Sequence, residues 1–446
     1  MKKTFKLGGV HPNDSKISKD AAIEVFPPVE VAYISMAQHL GAPAEPVVAV
    51  GDKVKVGTVI GKPTGFISGY VHSSVSGTVK SVGPMPDIAG NMVMHVAITV
   101  EGDEWCEEID RSTDLVRECN LSCEEIIAKI QSAGVVGLGG ASFPTHVKLN
   151  PPKGKEAVAL ILNGTECEPF ITSDDRIMRE RPMEILAGAE IMMKVLKVDK
   201  AYVGIEENKP EAIASMKNAA SQFKGIEVVV LKKKYPQGGE KQLIDAVIGR
   251  QVPSGALPID VGAVVQNVAT SLAVYEAVQK NKPLIDNVIT VSGRCMAQQH
   301  NYLVRVGTPI SRIMEAIGGV PKDAAKIVSG GPMMGKAIAN IDAATVKANG
   351  SFLILTEEET VRKEESNCIR CGKCADACPM GLEPWLLNKL SRVGGRYDDL
   401  EKERIFDCIE CGCCLFTCPA NIPLLDLIRI NKGEVMKIIR GRAAKK

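Results

Sequence analysis

A cysteine run written twice near the C-terminus does most to limit what this chain can fold into. Residues 368 to 379 read CIRCGKCADACP, and residues 408 to 419 read CIECGCCLFTCP. Both are C-x2-C-x2-C-x3-C followed by proline. Three thiolates so close in sequence wrap one iron–sulfur cube, while the fourth, turned away before the proline, ligates the other cube of a pair. This geometry assigns Cys368, Cys371, Cys374 and Cys418 to one [4Fe-4S] cluster, and Cys408, Cys411, Cys414 and Cys378 to a second. Zinc would want C-x2-C pairs that close tetrahedrally, and has no use for four-cysteine runs ending in proline. Two adjacent clusters carry single electrons and do no bond chemistry themselves, so something upstream must load them.

The other cysteines agree with a metal-binding reading. Nine of the fourteen fall between 368 and 418, and the chain opens MKKTFKLGGVHP without an apolar signal core. Clustered thiols in a chain of 446 residues point to a reducing compartment rather than to disulfides. Cys413 reads as a spare thiol packed beside a cluster, and Cys106, Cys119, Cys123, Cys167 and Cys295 as small buried hydrophobes. Lys and Arg total 54 against 53 Asp and Glu, so no global field recruits nucleic acid or anionic lipid. No stretch approaches the roughly 20 apolar residues that cross a bilayer. A role at a membrane would therefore mean docking onto other subunits.

The length allows two to four domains. PVVAVGDKVKVGTVIGK (46 to 62) and GYVHSSVSGTVKSV (69 to 82) alternate apolar and polar residues between turn signals, which reads as short-stranded β structure. This region resembles biotinyl/lipoyl-type barrel-sandwich domains, without their modified lysine; His72 reads as a packed residue. From 122 the pattern changes. Ser122 and Glu125 form a capping box before a helix that ends at Gly134. AVALILNG (157 to 164) is a continuous apolar run, as in a buried parallel strand, and AYVGIEEN and IEVVVLKKKY continue a βαβ alternation. Ligands on such sheets sit at the carboxyl ends of strands, where the loops 163 to 168 and 235 to 241 emerge. Residues 287 to 335 form a small α+β module with a helix capped between Thr308 and Gly318, read as a spacer. Trp385, Leu386, Leu387 and Leu390 at helical spacing, and NIPLLDLIRINKGEVMKIIRG after the second motif, make the cluster region helical.

One loop resists the standard phosphate signatures. GVVGLGGASFPTHVKL (134 to 149) has Ser142 where a dinucleotide fingerprint needs its third glycine, and it lacks the Gly-Lys-Ser/Thr of a P-loop. GLGGASFPTHVK (137 to 148) instead resembles the GxGGxGFPxGxK loop of the flavin-bearing NADH-oxidising subunit of respiratory complex I. NGTECEP (163 to 169) follows that family's NGDESEP loop, YPQGGE (235 to 240) echoes its YxxGEE turn, and QNVAT (266 to 270) its NNVET. Two clusters instead of one, a lipoyl-like N-terminus and the GGVHP opening narrow the resemblance to the C subunits of Rnf-type ferredoxin:NAD oxidoreductase complexes, along essentially the whole chain. A flavin-less relay and a soluble complex I-like subunit of a hydrogenase or formate dehydrogenase are the alternatives.

The resemblance implies a multidomain α/β architecture. It comprises an N-terminal barrel-sandwich domain (1–105), a central α/β FMN/NADH-binding domain (106–285), a small soluble-ligand-binding β-grasp domain (286–345) and a helical two-cluster ferredoxin-like domain (358–446). It implies FMN, two [4Fe-4S] clusters and NAD(H) as substrate, since a flavin converts hydride into single electrons. Its partners would be a ferredoxin-accepting iron–sulfur subunit and integral membrane subunits that translocate Na+ or H+, with this chain peripheral on the cytoplasmic face. Carried over by motif, Gly137, Gly139 and Gly140 let backbone approach FMN, and Lys148 supplies positive charge. Asn163, Thr165 and Glu166 line the flavin, and Gln266 and Asn267 lie near its phosphate. Glu240 and Phe143 serve the nicotinamide nucleotide, while His146 is structural.

Overall fold

The computed structural model describes residues 2–443. At its centre, four parallel strands run in the order Ile226–Leu231, Ala201–Glu206, Ala159–Asn163, Ala263–Asn267. The apolar run that marks Ala159–Asn163 is buried because helices cover both faces of the sheet. Helix Glu240–Ile248 packs on one face through Leu243, Ile244 and Val247. On the other, helices Pro182–Leu196 and Val268–Gln279 lie against the sheet and each other. A Cβ on Gly188 would stand 1.9 Å from the carbonyl oxygen of Ser271, so these two helices meet at backbone distance. Gly188→Ala should therefore destabilise the chain by about 1–3 kcal/mol through overpacking, read as a lower midpoint of chemical unfolding. Ahead of the sheet, helix Cys123–Ser132 carries the expected capping box: Glu125 N–H donates to Ser122 Oγ, and Ser122 N–H to Glu125 Oε2.

The N-terminal β region forms a sandwich. One antiparallel sheet orders Val31–Ser35, Met92–Val100, Gly77–Pro86 and Lys53–Val54; the other orders Glu45–Pro46, Val59–Lys62 and Val71–His72. Its core residues Ile34, Ile60 and Ile98 join Ile289, Val304 and Phe352 of the small α+β module in one hydrophobic cluster. The module's own sheet has six strands, ordered Ile23–Val25, His300–Arg305, Asp286–Ser292, Ser351–Thr356, Ala324–Ser329 and Lys336–Ala337. It thus recruits residues 23–25 and 351–356 from outside the span 286–345. The helix Ile310–Ala316 is not capped by Thr308, contrary to the expectation from sequence. Pro309 takes the cap position, and the Thr308 hydroxyl turns back to donate to Arg305 O.

The cluster region is helical, with Pro384–Val393 and Leu424–Ala443 packed on each other around Leu387 and Ile428. Among the described residues, no helix is long and apolar enough to cross a membrane. Residues 2–20 act as a strap across the domains. Lys232 N–H donates to Lys3 O, Val10 and Tyr235 exchange two backbone hydrogen bonds of 2.8 Å, Gly9 N–H donates to Ala377 O, and Phe170 N–H to Asp14 O.

Candidate functional site

The four flavin-type motifs converge at the carboxyl ends of two neighbouring central strands. Asn163 and Asn267 end these strands and are direct register partners. Asn163 accepts from the Thr165 hydroxyl at 2.6 Å and donates to Gly238 O at 2.9 Å, tying two of the loops together. Asn267 caps helix Val268–Gln279 by accepting from Ala269 N–H, and its amide donates to Asp174 at 2.7 Å. The glycine loop lies over this edge. Leu138 N–H donates to Thr270 Oγ1 at 2.8 Å, and a Cβ on Gly139 would stand 3.0 Å from the Asn267 amide. Gly137 N–H closes the loop onto Phe143 O, while Gly140 faces open space with no atom within 4 Å of its Cβ position. Lys148 and Glu240, 92 residues apart, form an ion pair of 2.6 Å beside the loop.

Ser142, the letter that departs from the glycine pattern, has φ +55°, in the left-handed region. Glycine enters that region at no steric cost, serine strains to do so, and β-branched residues do so worst. Ser142→Gly should be tolerated, whereas Ser142→Val should lower stability by about 1–2 kcal/mol, measured as paired denaturation curves.

A buried charge network lies beneath the 163–168 loop. Glu166 has φ +44°, and its carboxylate accepts from Asp174 N–H at 2.7 Å and Asp175 N–H at 3.4 Å, capping helix Ser173–Glu180 from outside. Lys16 donates to the carbonyls of Glu166, Glu168 and Ile171, and Lys209 to those of Thr165 and Glu166. Burial pushes the Glu166 carboxyl up to about 7 against the pull of Lys16, and the Asp174 carboxyl up to about 6 against that of Asn267. Glu166 thus shapes the loop through its backbone and its cap. The carboxylate of Glu168 accepts from Met333 N–H (3.1 Å) and Met334 N–H (2.8 Å) of the small module.

Cys378 of the first motif lines one cavity with Cys408, Cys411 and Cys414 of the second, closed by Met380, Leu387 and Ile428. Cys374 and Cys418 pack against Ala420, Ile422 and the near side of Cys414, and Cys368 and Cys371 are exposed. Burial pushes the thiols of Cys374 and Cys378 up, and that of Cys408 up to about 11, so cluster assembly there displaces protons. A hydrogen bond with the wholly buried thiol of Cys413 pulls Cys411 down. Among the described residues, no three side chains already stand at metal-holding geometry, so the thiols share a cavity rather than a finished coordination shell. The five scattered cysteines are half-buried rather than fully buried; Cys123 starts a helix, and Cys167 lies in the 163–169 loop, where burial pushes its thiol up to about 12.

The residues fit the groups that the motifs imply. Gln266 Nε2 is buried with no partner among the described residues, one position before the Asn267 that Gly139 approaches; this suits a polar ligand. Sulfur-only donors around an apolar cavity suit a cubane cluster. Three contacts lay beyond the sequence reading: those of the strap, that of the Tyr235 hydroxyl within the YPQGGE turn, and those of the Met333–Met334 loop of the module read as a spacer. The paired glycines of GGVHP were the available signal. A Cβ on Gly8 would lie 2.5 Å from the Cys378 carbonyl, so the strap passes directly over the backbone of Cys378.

A flavin-type α/β domain seated on a two-cluster tail defines a class, the electron-transfer subunits built like the flavin subunit of complex I. Comparison with known proteins agrees and goes further. Residues 130–276 match the Nuo51 FMN-binding domain, 3–104 the RnfC barrel sandwich hybrid domain, 288–337 the SLBB domain and 360–420 the 4Fe-4S dicluster domain. The chain is 46% identical over 436 residues to the C subunit of the proton-translocating ferredoxin:NAD(+) oxidoreductase complex of Clostridium ljungdahlii, covering 97% of this chain and 94% of that one. It is 39% identical over 434 residues to the Na(+)-translocating counterpart of Acetobacterium woodii, covering 97% of each. Among solved structures, an NAD+-reducing [NiFe]-hydrogenase shares the fold at TM-score 0.51 and 20% identity, covering 70% of this chain and 62% of that one. The chain belongs to the RnfC family, the C subunits of ion-translocating ferredoxin:NAD oxidoreductase complexes.

Proposed function

We propose that this chain exchanges hydride with NAD(H) at FMN and passes single electrons through two [4Fe-4S] clusters to the rest of a membrane-bound, ion-translocating complex. The observation that carries this is the seating of the Cys378, Cys408, Cys411 and Cys414 cavity against the loop 235–242, which also braces the flavin loops. FMN supplies the conversion between a two-electron hydride and single electrons. For it, Gly137, Gly139 and Gly140 offer close backbone approach, Gln266 offers an unpartnered amide, and Asn163 and Thr165 form the polar floor. Asn267 holds the strand end and the neighbouring helix in place. Lys148 and Glu240, paired beside the loop with Phe143 nearby in sequence, form the nucleotide side. The second cluster is the inner one. The first, with Cys368 and Cys371 exposed among Ile369 and Phe416, faces outward to the next iron–sulfur subunit. NAD(H) is a cytoplasmic dinucleotide, which sets the chain peripherally on that side.

Anaerobic reconstitution tests this. Chain loaded with FMN, iron and sulfide should carry about eight iron and one flavin and oxidise NADH with an artificial acceptor. Activity should vanish when flavin is withheld; NADH oxidation that persists without flavin rules the reading out.

A further inference from the structure

The segment from Tyr235 to Gln242 touches the flavin loops on one side and the inner cluster cavity on the other. Toward the flavin loops, Gly238 N–H donates to Cys167 Sγ at 3.4 Å, and a Cβ on Gly238 would lie 2.5 Å from Thr165 Oγ1. Toward the cluster, the Tyr235 hydroxyl donates to Cys411 O at 2.9 Å, and Gln242 Nε2 donates to Pro379 O at 3.2 Å. One acceptor is the carbonyl of a thiol ligand, and the other that of the residue following one. Both bonds are buried, where water does not compete and a hydrogen bond is electrostatically stronger. Tyr235 is among the largest fully buried side chains of the protein, and its two backbone hydrogen bonds to Val10 keep the ring from swinging away. A buried ring that needed only to fill space would not require a hydroxyl.

We infer that Tyr235, backed by Gln242, is a positioning residue for electron transfer between the flavin site and the cluster on Cys378, Cys408, Cys411 and Cys414, and that its O–H raises the potential of that cluster. A donor on the carbonyl of a ligand residue withdraws electron density and favours the extra negative charge of the reduced cluster, as hydrogen bonds around metal ligands do generally. The transfer moves one electron across the joint, and no bond or proton changes hands at Tyr235. The direction of transfer rests on the function proposed above; the hydrogen bond and its effect on potential do not.

The test uses the full chain reconstituted with FMN, iron and sulfide, titrated with dithionite and followed by electron paramagnetic resonance. In Tyr235→Phe, one cluster should fall in potential, and it should be the cluster whose signal Cys378→Ala abolishes. The other cluster and the flavin content should stay as in the parent chain, and reduction of the shifted cluster by NADH should slow several-fold. Gln242→Leu should shift the same cluster in the same direction, and it carries the test if Tyr235→Phe does not take up its clusters. Unchanged potentials in both variants, an equal shift of both clusters, or loss of all clusters in both variants would each overturn the inference. Dithionite needs neither flavin nor NADH. A parent chain that binds no FMN would therefore refute the proposed function while leaving the potential shift measurable.

Discussion

Cys378→Ala should abolish the cluster held by the second cysteine motif and spare the one held by its own. The opposite result is the naive one, because Cys378 lies ten residues from Cys368 and thirty from Cys408. The fold brings it to the distant set. Cys378 is buried in one cavity with Cys408, Cys411 and Cys414, while Cys374 of its own motif shares a second apolar cluster with Cys418, on the other side of Cys414. Losing one of four thiolates leaves an iron without its protein ligand in an apolar cavity, so the cube should not survive. Iron content should fall from about eight to about four per chain. Cys418→Ala should remove the outer cluster instead, and the two variants should lose different resonance signals. Function should separate them as well. Without the inner cluster, NADH should still reduce an acceptor that takes electrons from the flavin, but the outer cluster should stay oxidised. Without the outer cluster, the inner one should still be reduced. Loss of the same signal from Cys378→Ala and Cys368→Ala would refute the cross-ligation.

Features with strict local rules could be read from the sequence. Spacing alone specified the cysteine repeat, a capping box started the helix at Cys123, and a continuous apolar run marked the central strand. The meeting of three of the flavin-type loops was legible because those at 163, 235 and 266 follow the carboxyl ends of parallel strands, which lie side by side; the glycine loop follows a helix, and its place over them was not. Contacts between domains were not legible. Lys16 is a single lysine in a polar segment with no periodicity, yet it is buried against three carbonyls of the flavin loop. The small module looked like a spacer because its residues hold no reactive constellation. Its contact with the 163–168 loop runs through backbone amides at Met333 and Met334, which any residue but proline would offer. Thr308 resembled a cap because its neighbourhood in sequence fits one, but Pro309 took the position. Ser142 was an anomaly in sequence and became intelligible only through its positive φ.

Lys209→Met should be the most damaging change outside the cluster ligands. The ammonium of Lys209 is almost wholly buried, stands 3.8 Å from the equally buried Glu206 carboxylate, and donates to the carbonyls of Thr165 and Glu166. Methionine fills nearly the same volume, so packing should be little disturbed. What it removes is charge and hydrogen bonding. Glu206 would keep Lys234 N–H as a donor but lose its nearest counter-ion, and two loop carbonyls would lose a donor. Breaking a buried pair by removing one partner costs about 3–5 kcal/mol, because the remaining charge stays desolvated. The midpoint of thermal unfolding should drop accordingly. The same carbonyls fix the loop that carries Asn163 and Thr165, so FMN affinity should weaken by about tenfold or more, the equivalent of about 1.4 kcal/mol. Adding Glu206→Gln should recover part of the stability, since it removes the stranded charge, and none of the affinity, since the carbonyls still lack their donor. A double variant that regained flavin binding would show that Lys209 acts only through Glu206. The same outcome would leave Lys16 as the lysine whose donated hydrogen bonds brace the loop.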